Sequence, residues 1–261
     1  MSILDQLADA AKKRVEQAKE QTGLEEIKAR AQALPKGDFR FEKALKKEGL
    51  SFICECKKAS PSKGLIANEY HPAAIAAAYE KAGANCISVL TEPKWFLGSG
   101  QDLQAVCQST SLPVLRKDFT VDSYMIYEAK VLGADAVLLI AAILSDEQLA
   151  GYLQICEELG LSALCEAHDE KEISRLLKAG ARIIGVNNRN LKDFSVNAEN
   201  ALNLHKNLPE EIVFVSESGI QTREQTEALE KAGIEAVLIG ETLMKADDKT
   251  AMLKTLKGIG A

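Results

Sequence analysis

No run of 18 apolar residues occurs anywhere in the 261-residue chain, and the amino terminus lacks the apolar core of a secretory leader. Neither a membrane helix nor export is therefore expected. Histidine is scarce: the three residues are far apart and match no metal-ligand spacing, so no metal is expected. The six cysteines, at 54, 56, 86, 107, 156 and 165, form no C-x-x-C pair and sit mostly in apolar runs. They read as reduced core residues of a cytoplasmic protein. Positive charge is in deficit, with 32 Lys and Arg against 38 Asp and Glu, a net charge of −6. That balance excludes nucleic acid or an acidic membrane as the main partner, and any anionic ligand must be held by a local cationic site.

What is present begins with residues 52–64, an apolar start that ends in charge and is then broken by Pro61 and Gly64. Side chains alternate along a strand, so Ile53, Glu55 and Lys57 share one face and Phe52, Cys54 and Cys56 the other. A carboxylate and an ammonium aimed the same way suit a strand end that opens into a polar cleft. Upstream, residues 2–33 read as helix, with Ser2 as N-cap, Asp5 three later and an apolar face of Ile3, Leu4, Leu7, Ala8, Ala11 and Val15. Thr22-Gly23 interrupts it, Pro35-Lys36-Gly37 ends it, and a short helix follows from Asp38. Residues 1–50 are thus a helical extension.

A repeat sets the fold. Gly83, Gly133, Gly180 and Gly233 each close a helix pattern and precede an apolar strand, at 86–90, 136–140, 183–186 and 236–239. They recur about fifty residues apart, twice the length of a βα unit, so a further strand belongs in each interval. Segments 52–57, 113–117, 161–166 and 212–216 supply them. Eight βα units predict an α/β fold of the (β/α)8 TIM-barrel type, one domain over residues 1–261. An open doubly wound sheet is disfavoured because no G-x-G-x-x-G follows the first strand.

Barrel active sites lie at the C-terminal strand ends. The odd strands end in Glu55-x-Lys57, Lys117, Glu166 and Glu217, the even ones in Thr91-Glu92, Ala141, Asn187 and Gly240. Layers come from alternate strands, so Lys57, Lys117, Glu166 and Glu217 are expected around one mouth; a plain ion-pair network capping the barrel is the competing reading. Two glycine turns, Ser216-Glu217-Ser218-Gly219-Ile220 and Ile239-Gly240-Glu241-Thr242-Leu243, fall where barrels bind phosphate, and Ser60-Pro61-Ser62-Lys63-Gly64 adds to the same rim. The sum is an acid/base enzyme acting on a phosphorylated small molecule, with a lysine pKa lowered by burial or a second cation. A Schiff-base aldolase using Lys117 or Lys57 fits the same residues. His168 reads as surface or loop.

These residues resemble the indole-3-glycerol-phosphate synthase family over essentially the whole chain. The resemblance is carried by 55-ECKKASPSKG-64, 88-SVLTE-92 with Trp95-Phe96, 115-LRKDF-119, Glu166, 184-IGVNNR-189 and 216-SESGI-220. It implies ring closure of 1-(2-carboxyphenylamino)-1-deoxyribulose 5-phosphate, with loss of CO₂ and water and no cofactor. Lys117 is implied as general acid and Glu166 as base or proton relay of the dehydration, with Lys57 as carboxylate holder or second acid. Glu55, Asn187 and Glu217 are implied to orient lysines and sugar hydroxyls, and Arg189 to support the rim. Ser60, Ser218, Gly219, Gly240 and Glu241 are implied around the phosphate. A carboxylate at Glu241 would repel that dianion unless it turned away. Phe96, Phe119, Leu138 and Leu191 are implied as the wall of an apolar slot for the anthranilate ring.

The sister barrel phosphoribosylanthranilate isomerase is a rival that needs an inward cysteine, and Cys56 and Cys165 fall on the outward parity. A phosphate sensor or scaffold would leave four ionisable strand ends without purpose. The length leaves no room for a fused second barrel, and a cytoplasmic monomer is expected.

Overall fold

The computed structural model describes residues 2–189, 194–197, 199–206 and 208–259. Eight parallel strands close on themselves: β1 (Ser51–Cys56), β2 (Cys86–Leu90), β3 (Val114–Lys117), β4 (Ala136–Ile140), β5 (Ser162–Ala167), β6 (Ile183–Asn187), β7 (Val213–Glu217) and β8 (Ala236–Ile239). The seam pairs β1 with β8 from Ser51↔Ala236 to Cys54↔Ile239, and β1 with β2 from Ile53↔Cys86 to Cys56↔Val89. Each expected strand lies within one residue of its observed place, and the architecture is the (β/α)8 barrel. The strands are buried on both faces, as a parallel sheet covered by helices requires.

Three helices precede the barrel: α1 (Ile3–Gln21), α2 (Leu24–Gln32) and α3 (Arg40–Leu45). Ser2 and Asp5 form a reciprocal capping box on α1, and Leu7, Ala8, Ala11 and Val15 bury its apolar stripe. In α3, Phe41 and Leu45 are fully buried, the Glu42 N–H donates to Ser162 Oγ at 3.1 Å, and Ser51 Oγ donates to the Ala44 carbonyl. Those serines begin β5 and β1, so α3 covers the N-terminal mouth. Gly37 and Gly160 meet backbone to backbone beside it, where a Cβ on either would overlap the other's carbonyl.

The remaining helices are α4 (Pro72–Lys81), α5 (Gly100–Ser109), α6 (Ser123–Leu132), α7 (Asp146–Leu159), α8 (Glu170–Ala179), α9 (Glu199–His205), α10 (Arg223–Lys231), α11 (Glu241–Lys245) and α12 (Lys249–Leu256). Gly83, Gly133, Gly180 and Gly233 all take positive φ at the helix ends, as the repeat predicted. Among the described residues no helix is long and apolar enough to cross a membrane. With one mouth covered, the C-terminal ends of the strands are left to form the site.

Candidate active site

A cavity of about 460 Å³ opens at the C-terminal mouth, within the size range of small-molecule sites. Glu55, Lys57, Lys117, Glu166, Asn187 and Arg189 line it, with Ser60, Ser218, Gly219, Gly240 and Glu241 on the rim and Phe96, Phe119 and Leu138 in its wall. Glu217 lies beneath, almost wholly buried, and reaches the cavity through Lys117. Of the residues singled out from sequence, Leu191 alone lies outside the described residues.

The four odd strands converge as their layer required. Lys117 Nζ donates to Glu217 Oε2 at 2.6 Å and stands 3.9 Å from Glu166 Oε2. Lys57 Nζ pairs with Glu55 Oε1 at 2.7 Å. Asn187 Nδ2 donates to Glu166 Oε1 at 3.3 Å, and Asn187 Oδ1 accepts from the Arg189 N–H at 3.0 Å. Glycine on the neighbouring even strands makes this possible: a Cβ on Gly185 would overlap Glu217 Oε1, and one on Gly240 would overlap Glu55 Oε1 and lie 2.9 Å from Lys57 Nζ.

The electrostatics correct one expectation. Burial works against charge on Lys117, but Glu217, Glu55 and Glu166 outweigh it and hold the ammonium above the ordinary lysine range, not below it. No second cation sets its acidity; three carboxylates do. Glu217 bears the cost. Burial first, then Glu166 and Glu55, push it up to about 7 against the opposing pull of Lys117. Its Oε1 has no hydrogen-bond partner among the described residues. Burial also opposes charge on Glu55, yet Lys57 and Lys117 keep it below the usual carboxylate range.

Across the mouth from the aromatic wall, the turns after β7 and β8 form a polar rim. Ser218 and Gly219 both take left-handed backbone, φ 66° and 80°. Strain at Ser218 is held by Asn188, whose Nδ2 donates to the Ser218 carbonyl and to Ser216 Oγ, each at 3.1 Å, while its Oδ1 accepts from the Ala201 N–H. The Glu241 carboxylate is not turned away from this rim but is neutralised on it, 3.3 Å from Arg189 Nη2 and 2.6 Å from Lys245 Nζ. Residues 59–65 form a two-stranded hairpin, Ser60↔Gly64 and Ala59↔Leu65, that brings Pro61, Ser62 and Lys63 over the cavity. The opposite wall pairs Phe96 and Phe119 with ring centroids 6.2 Å apart.

Two contributions were not visible in the sequence. Ile3 and Leu7 of α1 line the cavity, so the helical extension is part of its wall. Arg14 of α1 makes two hydrogen bonds to Asp118, at 2.7 and 3.0 Å, and Lys19 pairs with Asp122 at 2.7 Å. Asp118 also accepts from Thr91 Oγ1 at 2.6 Å and from the Phe119 N–H at 2.8 Å, which fixes the segment that follows Lys117. His168, read as surface or loop, lies in the loop after β5 and is partly buried there against Glu166.

The family model described as indole-3-glycerol phosphate synthase matches residues 4–256. Relatives bearing that name include one from Ruminiclostridium cellulolyticum, 53% identical over 257 residues, and one from Lachnoclostridium phytofermentans, 49% identical over 269 residues. Each alignment covers 98% of this chain and 99% of the relative. Among solved structures, a thiamine phosphate pyrophosphorylase from Pyrococcus furiosus aligns with TM-score 0.61 at 15% identity, covering 84% of this chain and 96% of that one. A tryptophan synthase complex chain from the same organism aligns with TM-score 0.61 at 14% identity, covering 80% and 98%. At such identity the structural likeness speaks for the barrel alone, whereas the sequence relationship runs end to end: the chain belongs to the indole-3-glycerol phosphate synthase family.

Proposed function

We propose that this chain closes the pyrrole ring of indole-3-glycerol phosphate from 1-(2-carboxyphenylamino)-1-deoxyribulose 5-phosphate, by lysine and glutamate acid–base chemistry at the barrel mouth. The observation that carries the reading is the Lys117 ammonium, held 2.6 Å from Glu217 and 3.9 Å from Glu166 on the cavity floor. It lies between an apolar wall from β2–β4 and a polar rim from β7, β8 and the β1 hairpin.

The anthranilate ring lies against Phe96, Phe119 and Leu138, and the phosphate against Ser60, Ser218, Gly219, Gly240 and Glu241, with Lys63 and Arg189 supplying positive charge. Attack of the carboxylate-bearing ring carbon on the ribulose carbonyl places negative charge on its oxygen. Lys117 gives that oxygen a proton. An alkoxide is a far stronger base than the amine an ammonium leaves behind, so a lysine kept charged by its neighbours still donates downhill; such positioned proton transfer contributes roughly 10²–10⁴-fold. Departure of CO₂ leaves its electron pair to restore aromaticity. Glu166 then removes a proton from the carbon beside the nitrogen while an ammonium protonates the departing hydroxyl, which leaves as water. Lys57, braced by Glu55, holds the carboxylate or acts as second acid. Asn187 and Glu217 orient Glu166 and Lys117.

The reading takes residues 1–261 as one barrel domain, with residues 1–50 as its helical extension, acting as a monomer. The six free thiols support a reducing cytoplasm, and the net charge of −6 supports a partner set without nucleic acid. Mixing the protein with the carboxyphenylamino-ribulose phosphate tests the activity through the appearance of indole fluorescence. Lys117→Ala is expected to abolish that signal in a folded protein, and turnover surviving the change would remove Lys117 from the acid's role.

A further inference from the structure

His168 stands one residue after β5, and its side chain is only 24% exposed. Its own helix clamps the ring: the His168 N–H donates to Glu172 Oε2 at 2.8 Å, and Nδ1 lies 3.2 Å from the same oxygen. The other ring nitrogen, Nε2, is buried, has no hydrogen-bond partner among the described residues and faces Glu166 Oε1 at 3.6 Å. Glu166 therefore has Lys117 on Oε2, and on Oε1 an imidazole beside the Asn187 amide that donates to it.

The protonation state follows from the inventory of groups. If Nδ1 carries the hydrogen for Glu172, a neutral ring turns a bare lone pair on Nε2 towards a carboxylate oxygen. Reversing the tautomer only moves that conflict to Glu172. The imidazolium, with a hydrogen on each nitrogen, sets positive charge beside a carboxylate on either side, hydrogen-bonded to Glu172 and ion-paired with Glu166. Glu166 from β5, Glu172 from α8 and Glu217 from β7 are the charges that bear on the ring, and α9 adds Asn200 Nδ2 at 3.5 Å from the His168 carbonyl. Burial disfavours the charged ring, but the Glu172 hydrogen bond and these carboxylates outweigh it and raise His168 above the ordinary imidazole value.

We propose that His168 is a positioning residue for the reaction: clamped by Glu172, its imidazolium holds Glu166 Oε1, leaving Oε2 to Lys117 and the reacting centre. A proton arriving at Glu166 is thereby directed to Oε2, because Oε1 already faces a donor. The inference rests on the reading of Glu166 as the base.

With three histidines in the chain, ¹H–¹⁵N titration of the imidazoles is tractable, and His168→Gln identifies the signal. His168 is expected to titrate above the ordinary range in the unmodified protein and to move down by about half a pH unit or more in Glu166→Gln. An unchanged titration in Glu166→Gln would overturn the ion pair, and this measurement does not require His168→Gln to fold. In kinetics, His168→Gln is expected to lower kcat roughly tenfold, in the range seen when an orienting partner is lost, with KM within about twofold. The fall in activity that accompanies ring deprotonation should vanish from its pH profile. A lowered kcat with that feature still in place would reduce His168 to a structural residue and sink the proposal. Undiminished turnover in Glu166→Gln would instead refute the base assignment, whatever the titration reads.

Discussion

Lys117 and Glu217 meet across the diameter of the barrel. Their strands, β3 and β7, are four steps apart in either direction round the sheet, yet Nζ and Oε2 are 2.6 Å apart. The pair closes the floor of the cavity, and Glu55 and Glu166, from the strands between, bring the total to three carboxylates against the ammoniums of Lys57 and Lys117. One negative charge is in excess among these groups, and Glu217, buried and with an unpartnered oxygen, is the carboxyl whose hold on a proton is strengthened.

That hold has a signed consequence for stability. Glu217 sits near 7 in the fold against an ordinary 4.5, so the folded state binds the proton more tightly than the unfolded chain. Its contribution is fully present below the ordinary value and is lost as pH rises through about 7. Glu217→Gln is expected to lose turnover while its melting temperature, relative to the parent, improves from pH 5 to pH 8. A difference independent of pH would show that Glu217 is charged throughout.

Lys117 predicts the opposite kind of profile. Because its neighbours hold it above the ordinary lysine range, its proton is expected to stay in place up to about pH 10, with no loss of kcat from its titration below that. Lys117→Arg keeps the charge but surrenders no proton, and is expected to fall by about 10²–10⁴-fold. Near-normal kcat in that variant would make the residue an electrostatic stabiliser rather than an acid.

The even-strand glycines are expected to behave as catalytic spacers. Gly185→Ala displaces the Glu217 carboxylate and with it Lys117, and Gly240→Ala displaces Glu55 and Lys57. Each should cost about 1–3 kcal/mol by overpacking and lower kcat by more than its loss of stability explains. Comparing kcat on fully folded protein with denaturant midpoints checks this; unaltered kcat would mean the charges are not held to these positions.

Asp118 ties the extension to the site. Burial opposes its charge, but Arg14, Arg116 and Thr91 hold it below the usual carboxylate range. Asp118→Asn leaves two arginines undercompensated and is expected to destabilise by about 3–5 kcal/mol, as when one partner of a buried pair is removed. The stability Asp118 gives is present above the usual carboxylate range and lost as pH falls through the depressed value, so the variant's deficit should shrink in acid. Arg14→Ala, which frees α1 and the Ile3–Leu7 wall, should raise KM. An unchanged KM would mean the wall is set without that anchor.

The barrel was legible because its signals are local and periodic. Gly133 and Gly180 mark helix ends by a backbone angle, and alternation along β1 alone sends Glu55 inward and Cys56 outward. The convergence of Lys117 with Glu217 followed from counting strands. What escaped depends on pairs that no period connects. Arg14 meets Asp118 across 104 positions of chain, and Ile3 reaches the cavity through the docking of a whole helix. The direction of the Lys117 shift escaped for a related reason: sequence shows two lysines, but only distance shows that carboxylates crowd the one and that Lys57 is occupied by Glu55. The loop position of His168 was legible, but its partial burial was not, because that depends on the helix that folds over it.

The clasp between Arg14 and Asp118 also orders events during synthesis. Residues 3–21 leave the ribosome well before β3, and the Asp118 they clasp does not exist until β3 and the segment after it have emerged and taken shape. This amphipathic helix must therefore wait with Leu7, Ala11 and Val15 uncovered while about a hundred further residues are made, a long-range closure that comes late and slowly. During that interval the nascent chain carries an open apolar stripe, which the arrival of Asp118 and of α6 behind it allows to close.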